Sequence, residues 1–456
     1  MPRFVGLDLA RATVQVAILD EHGHQLRNQK LPLRREELER FIPATLDPTD
    51  EVAVEATGNT WAVVDLLTPH VTRVVVSNPL RTRAIASAKI KTDKVDARVL
   101  AELLRCRYLP EVWQPDATTR HLRGLTHHRA ALVGQRTAIK NRIHAQLAHR
   151  LLHVPTSDLF GTKGLAWLHD LSLDAAGRAM VDAELRLLTA VDAEIAREDA
   201  ALAGHGWKDD QIRLLMTLPG VSLVVAIGLL AAWGDLARFP SGAKAAAYLG
   251  LVPSTHQSGN VCYHGRITKQ GASRTRWLLV QAAQHLDRHP GPLGHFFRRL
   301  SRKKNRNVAV VATARKLAVI AYHMLRASEP YRWAQPLATA TKLAALRVAA
   351  TGARRRGGSP KGKPRPTSYG SGERTRAVPS LAGVCKAEGL PAPRTLDDLP
   401  AGEIRVIKLT HSLTHARAIQ NPTTRPRPTA KHLEEKTQPT KGPSQIIDSQ
   451  RHAQGT

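Results

Sequence analysis

The first hundred residues alternate short apolar runs with polar breaks. Phe4-Val5-Gly6-Leu7 closes on Asp8, and Val14, Val16 and Ile18 recur at every second position. Period two predicts strands over Arg3–Asp8 and Thr13–Asp20, with a turn at Glu21-His22-Gly23 and a third strand around Gln25–Leu33. A helical pattern follows over Glu36–Ala44, then an apolar strand Glu51–Glu55, a helix Trp61–Leu67 and a strand Thr72–Ser77. A further helix runs from about Thr92 to Arg105. From residue 116 to 204 the apolar spacing lengthens: Leu122, Leu125, Leu132, Ile139, Ile143 and Leu147, then Leu185, Leu188, Val191 and Ile195. Two long helices fit this, packed as a coiled coil within one chain or in trans, and broken near Pro155–Gly164. Arg123, Arg129, Arg136, Lys140 and Arg142 interleave the first of them, as a solvated face or as nucleic-acid contacts.

Residues 209–330 read as a third, mostly helical unit. It opens on Leu214–Val221, and an apolar helix Leu223–Ala232 follows the Pro219-Gly220 turn. That arrangement resembles a helix-hairpin-helix, which offers backbone N–H groups to phosphate. An ordinary αα-hairpin has the same pattern. Residues 337–456 form a basic tail with Arg354-Arg355-Arg356, Lys361-Gly362-Lys363 and a single aromatic, Tyr369. With little to bury, it is expected to be mostly disordered and to add sequence-independent affinity for nucleic acid. The order β-β-β-α-β-α-β over residues 1–110 is that of a ribonuclease-H-like α/β layer.

Charge narrows the partner. The chain carries 67 Lys and Arg against 38 Asp and Glu, a net +29, with a pI near 10.8. Such a field favours a polyanion, and DNA or RNA before an acidic membrane. No run of 18 uninterrupted apolar residues and no signal peptide stands in the sequence. Cys106, Cys262 and Cys385 are scattered and odd in number, which suits a reducing cytoplasm and no disulfide framework.

Within this basic chain four acids are placed for chemistry. Asp8 and Glu55 end strands that a ribonuclease-H-like sheet sets side by side. Asp93 and Asp96, in Lys91-Thr92-Asp93-Lys94-Val95-Asp96-Ala97, share a helix face. Four carboxylates meeting at one spot repel unless hard cations bridge them, and Mg²⁺ suits all-oxygen ligands and phosphate. Taken singly, each acid also fits a turn, a cap or a solvated pair.

The same residues carry a family resemblance. Phe4–Leu9 with Asp8, Val54-Glu55-Ala56-Thr57-Gly58 and the Asp93/Asp96 motif resemble the DEDD catalytic domain of the insertion-sequence-110 transposases and the related Piv/MooV DNA invertases. Downstream, Leu218-Pro219-Gly220-Val221, Phe239, Lys244–Pro253, Ser258-Gly259, Gly265–Gly271 and Arg276 resemble the family's C-terminal transposase domain. The resemblance covers roughly residues 3–325. It implies a RuvC-like first domain and a serine nucleophile in the second, thought to join DNA covalently. The matching serine is Ser258, with Ser254 and Ser273 as competitors. Ser273 also fits a cap on a helix Thr275–Leu286. Arg266, Lys269, Arg274 and Arg276 surround that segment and suit DNA phosphate, as they also suit a solvated surface. The resemblance further implies a structured "bridge" RNA as guide and a dimer or tetramer.

The reading is a cytoplasmic transposase or site-specific recombinase, with Mg²⁺ at Asp8, Glu55, Asp93 and Asp96 and no membrane partner. Its domains are 1–110, 116–204, 209–330 and the tail 337–456. A junction endonuclease using the acids alone, and a non-catalytic nucleic-acid-binding protein, are the alternatives.

Overall fold

A computed structural model describes residues 2–85, 92–352 and 375–426. The chain forms two compact units, Met1–Asp116 and Ala117–Thr456.

In the first unit the strands are β1 (Phe4–Leu9), β2 (Thr13–Leu19), β3 (Gln25–Pro32), β4 (Glu51–Glu55) and β5 (Arg73–Ser77). The helices are α1 (Arg35–Thr45), α2 (Thr60–Leu67), α3 (Pro79–Ile85) and α4 (Asp93–Arg105). One sheet has the order β3-β2-β1-β4-β5. β1, β2 and β3 pair antiparallel, whereas β4 lies parallel to β1 and β5 parallel to β4. Val5, Leu7, Val14, Val16, Ile18, Val52 and Val54 bury one face with Leu38 and Ile42 of α1 and Val63 and Leu67 of α2. Phe4, Ala53 and Val75 bury the other with Leu100 and Leu104 of α4. Alternation in β2 implied one polar face, yet Gln15 and Ala17 are buried as well, because α4 covers them.

Gly6 lets that helix come close. A Cβ there would lie 2.0 Å from the Ala97 carbonyl oxygen and 2.7 Å from the Ala101 nitrogen, both backbone atoms. Gly6→Ala must push α4 off the sheet. The expected cost is about 2–3 kcal/mol, read as a lower thermal midpoint by circular dichroism. An unchanged melt contradicts this contact.

The second unit is mostly helical. Its two long helices, α5 (Ala117–Ala148) and α7 (Ala175–Lys208), are joined through a short α6 (Thr162–Asp170). They pack on each other within the chain through Ile139, Ile143, Leu147, Val181 and Leu188. The cations of α5 are matched by acids of α7: Arg129 with Asp199 at 2.5 Å, Arg142 with Glu184 at 2.6 Å and Arg136 with Asp192 at 3.5 Å. These three arginines therefore hold the helix pair together.

Next come α8 (Asp210–Leu215), α9 (Leu223–Trp233), α10 (Gly242–Tyr248), β6 (Pro253–Ser258), β7 (Val261–Ile267), α11 (Ser273–Ala283), α12 (Pro292–Lys303) and α13 (Arg306–Ala327). Trp233, fully buried, donates from its indole nitrogen to the Ala245 carbonyl at 3.1 Å. By length and composition α13 could cross a membrane. Its apolar side, with Ala314, Leu317, Ala318 and Ala321, instead fills the core of this unit. Ser273 is the first residue of α11 and makes no cap. Ala272 precedes it as the boundary residue, so the helix starts two residues earlier than expected.

Part of the basic tail is folded. Its described parts hold α14 (Pro336–Thr351), β8 (Thr375–Val378), α15 (Leu381–Ala387), α16 (Ala401–Leu409), α17 (Leu413–Gln420) and β9 (Thr423–Pro426). Leu343, Leu346, Leu381 and Cys385 join the main core. Spaced apolar residues thus fold these segments, although basic composition suggested disorder. Arg354–Arg356 and Lys361–Lys363 lie outside the described residues, as does Lys91.

Candidate functional site

In the first unit the four acids gather at one end of the sheet. Leu7 pairs with Val54, so Asp8 and Glu55, one residue on, lie at the neighbouring ends of adjacent parallel strands. Alternation puts both on the side of Gly6 and Ala53, the side that α4 covers. The direction of α4 follows from its anchors. Ala97 and Ala101 cross β1 at Gly6, and Leu104 packs with Phe4. Beyond the helix, Arg107 donates to Glu51 at 2.6 Å, at the start of β4. The C-terminal end of α4 therefore lies over the strand starts, and its first turn, with Asp93 and Asp96, over the strand ends. Thr92 caps that turn through its side chain, accepting from the Val95 N–H.

The four do not close into a ligand group. Among the described residues, no three His, Cys, Asp or Glu side chains stand close enough together to hold a metal ion. Asp93 is drawn aside by Lys30 of β3, whose ammonium donates to it at 3.0 Å. That hydrogen bond and charge hold the Asp93 carboxyl below the usual aspartate range. The convergence expected from the sequence is thus incomplete, since like charges repel and a lysine offers Asp93 a partner.

Four polar neighbours were missed. Gln15 sits opposite Asp8 in the β1–β2 ladder and donates to Asn28 at 2.5 Å. Asn28 donates to the Lys94 carbonyl at 3.3 Å, tying α4 to the sheet. Lys30, opposite Gln15, continues the row. On the far side Ser77 pairs with Glu55, and its buried hydroxyl has no hydrogen-bond partner among the described residues. The available signal was polar residues inside strands with apolar neighbours on both sides.

In the second unit, β6 and β7 form a two-stranded ribbon that sequence patterning did not reveal. Ser258 is the last residue of β6 and pairs with Val261 across Gly259-Asn260, with Gly259 at φ 54°. Ser258 is exposed, as is nearly the whole ribbon, including Val261 and Tyr263. His256 lies two residues back on the same side, and its ring stacks on Tyr263 with centroids 4.9 Å apart. The Gly-Asn dipeptide was the usable hairpin signal.

The expected phosphate contacts lie at the base of this ribbon and beyond it in sequence. Strand rise puts its tip roughly 16 Å from its base at Pro253. Arg266 is beside that base, and Lys269, at φ 56°, and Arg274 follow it. Arg276 donates to the Leu249 carbonyl at 2.9 Å and the Gln270 carbonyl at 3.3 Å, and burial lowers its pKa. It clamps the loop that carries the ribbon. These cations are therefore not grouped around Ser258.

The Pro219-Gly220 turn between α8 and α9 is packed inward. A Cβ at Gly220 (φ 78°) would lie 2.2 Å from the Ala282 carbonyl oxygen. Lys342 of α14 donates to the Leu218 and Val221 carbonyls at 2.9 and 3.1 Å. Burial pushes its ammonium down to about 8.

Comparison with known proteins matches these same two regions. A transposase model of the IS110 DEDD type matches residues 5–150, and one for the IS116/IS110/IS902 transposase family matches residues 212–298. The chain belongs to the IS110 family of transposases. It is 27% identical over 341 residues to a probable family 20 transposase of Pseudomonas aeruginosa, covering 72% of this chain and 98% of that one. It is 25% identical over 353 residues to the transposase for insertion sequence element IS1111A of Coxiella burnetii, covering 72% and 91%. A pilin gene-inverting protein of Moraxella bovis is 25% identical over 350 residues, covering 72% and 97%. Membership implies a DNA substrate and dependence on a divalent metal. The donors at the sheet end fit such an ion chemically. They are carboxylate oxygens beside the orphaned Ser77 hydroxyl, an all-oxygen set.

Proposed function

We propose that this transposase cuts and rejoins DNA strands through Ser258, with Asp8, Glu55, Asp93 and Asp96 holding Mg²⁺. The reading takes the first unit as RuvC-like, which the sheet order β3-β2-β1-β4-β5 and the acids at its end support. The observation that carries it is Asp8 and Glu55 on adjacent strand ends beneath the first turn of α4. Asp93 joins them by leaving Lys30. A bound divalent cation would neutralise charge on the scissile phosphate and favour an ionised attacking oxygen.

The Ser258 oxygen attacks phosphorus. An Oγ–P bond forms, the bond to one deoxyribose oxygen breaks, and the serine proton is transferred to that leaving oxygen. The phosphoserine ester conserves the phosphodiester bond energy, so attack by a DNA hydroxyl rejoins the strand and frees the serine. Full exposure at a ribbon tip suits a nucleophile that must reach a duplex. A two-stranded ribbon is marginal alone, which favours docking on DNA or a second copy of the chain, in a dimer or tetramer. The net +29 also suits a structured guide RNA alongside DNA.

Ser258→Ala is expected to lose both strand cleavage and the covalent protein–DNA adduct while DNA binding persists. Labelled DNA ends from the insertion sequence, run on a denaturing gel, report both products. Cleavage by the alanine variant would contradict the serine mechanism.

A further inference from the structure

We propose that an open groove of about 1030 Å³ in the second unit binds an unpaired nucleotide of a single strand. Its walls come from α12, α13, the segment after α13, and α16. Phe296 and Trp333 give it aromatic surface, while Val406 and Leu409 of α16 stay exposed on its rim.

Its charge is one-sided. Glu329 is paired with Arg332 and Arg394, and Glu403 with Arg332. Those two acids and two arginines cancel. Arg299, Lys316 and Arg326 also line the groove, and none of them has an acidic partner among the described residues. Arg299 and Lys316 each lie 5.8 Å from the centroid of the Phe296 ring. On α13, Lys316, Ile320 and His323 form one helical stripe facing the groove.

An apolar, aromatic floor under uncompensated cations suits a ligand that is flat and anionic at once. An unstacked base with its phosphate has both properties, and stacking on aromatic rings tolerates any base. A base inside a duplex cannot enter. The chain's own segment 353–374 has seven Lys and Arg against one Glu, which makes it a poor ligand for these cations. Lys316, Arg326, Trp333, Arg394 and α16 all lie outside residues 5–150 and 212–298, the regions that define the family. Phe296 of α12 lies inside the second of these regions, and the groove's occupancy does not depend on the mechanism above.

The test measures binding of the full chain to a fluorescent 12-residue oligothymidine and to the matching duplex. Lys316→Glu with Arg326→Glu is expected to weaken the single strand roughly tenfold and the duplex less than about twofold. Phe296→Ala, which removes aromatic surface without changing charge, is expected to act in the same direction. Polyglutamate and vesicles of anionic lipid should compete poorly, having charge but no base. Unchanged single-strand affinity in both variants, an equal loss for duplex, or full competition by polyglutamate or vesicles would overturn the proposal.

Discussion

Asp8→Ala is expected to lower strand cleavage by roughly a hundred- to a thousandfold, the scale seen when a preorganised group that stabilises transition-state charge is removed. Joint Asp93→Ala and Asp96→Ala should act alike. Asp8 is only half-buried at a strand end, so the fold and DNA binding should survive. Loss of binding or of the cooperative melt would assign these acids a structural role. Chelation by EDTA gives the parallel result for the wild-type chain: cleavage stops, and added Mg²⁺ restores it. Cleavage undiminished in EDTA would remove the metal from the account.

The second large effect concerns the tail, and it depends on where the chain is cut. Ending the chain at residue 336 removes α14, with buried Leu343 and Leu346 and the Lys342 bonds to the α8–α9 turn. It also removes Leu381, Cys385 and Ile419 from the main core. Each large apolar side chain contributes about 1.5–3 kcal/mol by burial, so several together rival a domain's whole stability of about 5–15 kcal/mol. The truncated protein is expected to lose its cooperative melt or to aggregate. Ending the chain at 426 removes none of these groups and should leave the melt unchanged. The salt dependence of DNA binding should fall, since basic residues are lost. A normal melt for the chain ending at 336 would show that α14 adds nothing.

The strands of the first unit were legible because their cores are apolar and short. Glu51–Glu55 has the same bounds in sequence pattern and structure. What period two concealed was the second buried face of β2. Gln15 looked like a solvent position, yet α4 lies over it and turns it into a link between sheet and helix. Asp8 and Glu55 could be foreseen as neighbours from strand order alone. The hold of Lys30 on Asp93 could not, because it joins residues 63 apart across a register that only the fold sets.

The β6–β7 ribbon escaped notice for a different reason. Nearly all of it is exposed, so Thr255–Cys262 carries no apolar alternation to betray strands. Only Gly259-Asn260 marked the turn. In the tail, charge drew the eye from Leu343 and Leu346, whose three-residue spacing was already a helical face.

Ser258 is expected to join DNA covalently. The direct measurement is peptide mapping of a protein–DNA adduct trapped with a nicked DNA end and digested to a nucleotide-tagged peptide. The tag is expected on Ser258. A tag on Ser254 or Ser273 moves the role to another residue, and the absence of any adduct while cleavage proceeds contradicts the serine mechanism in favour of hydrolysis at the acids.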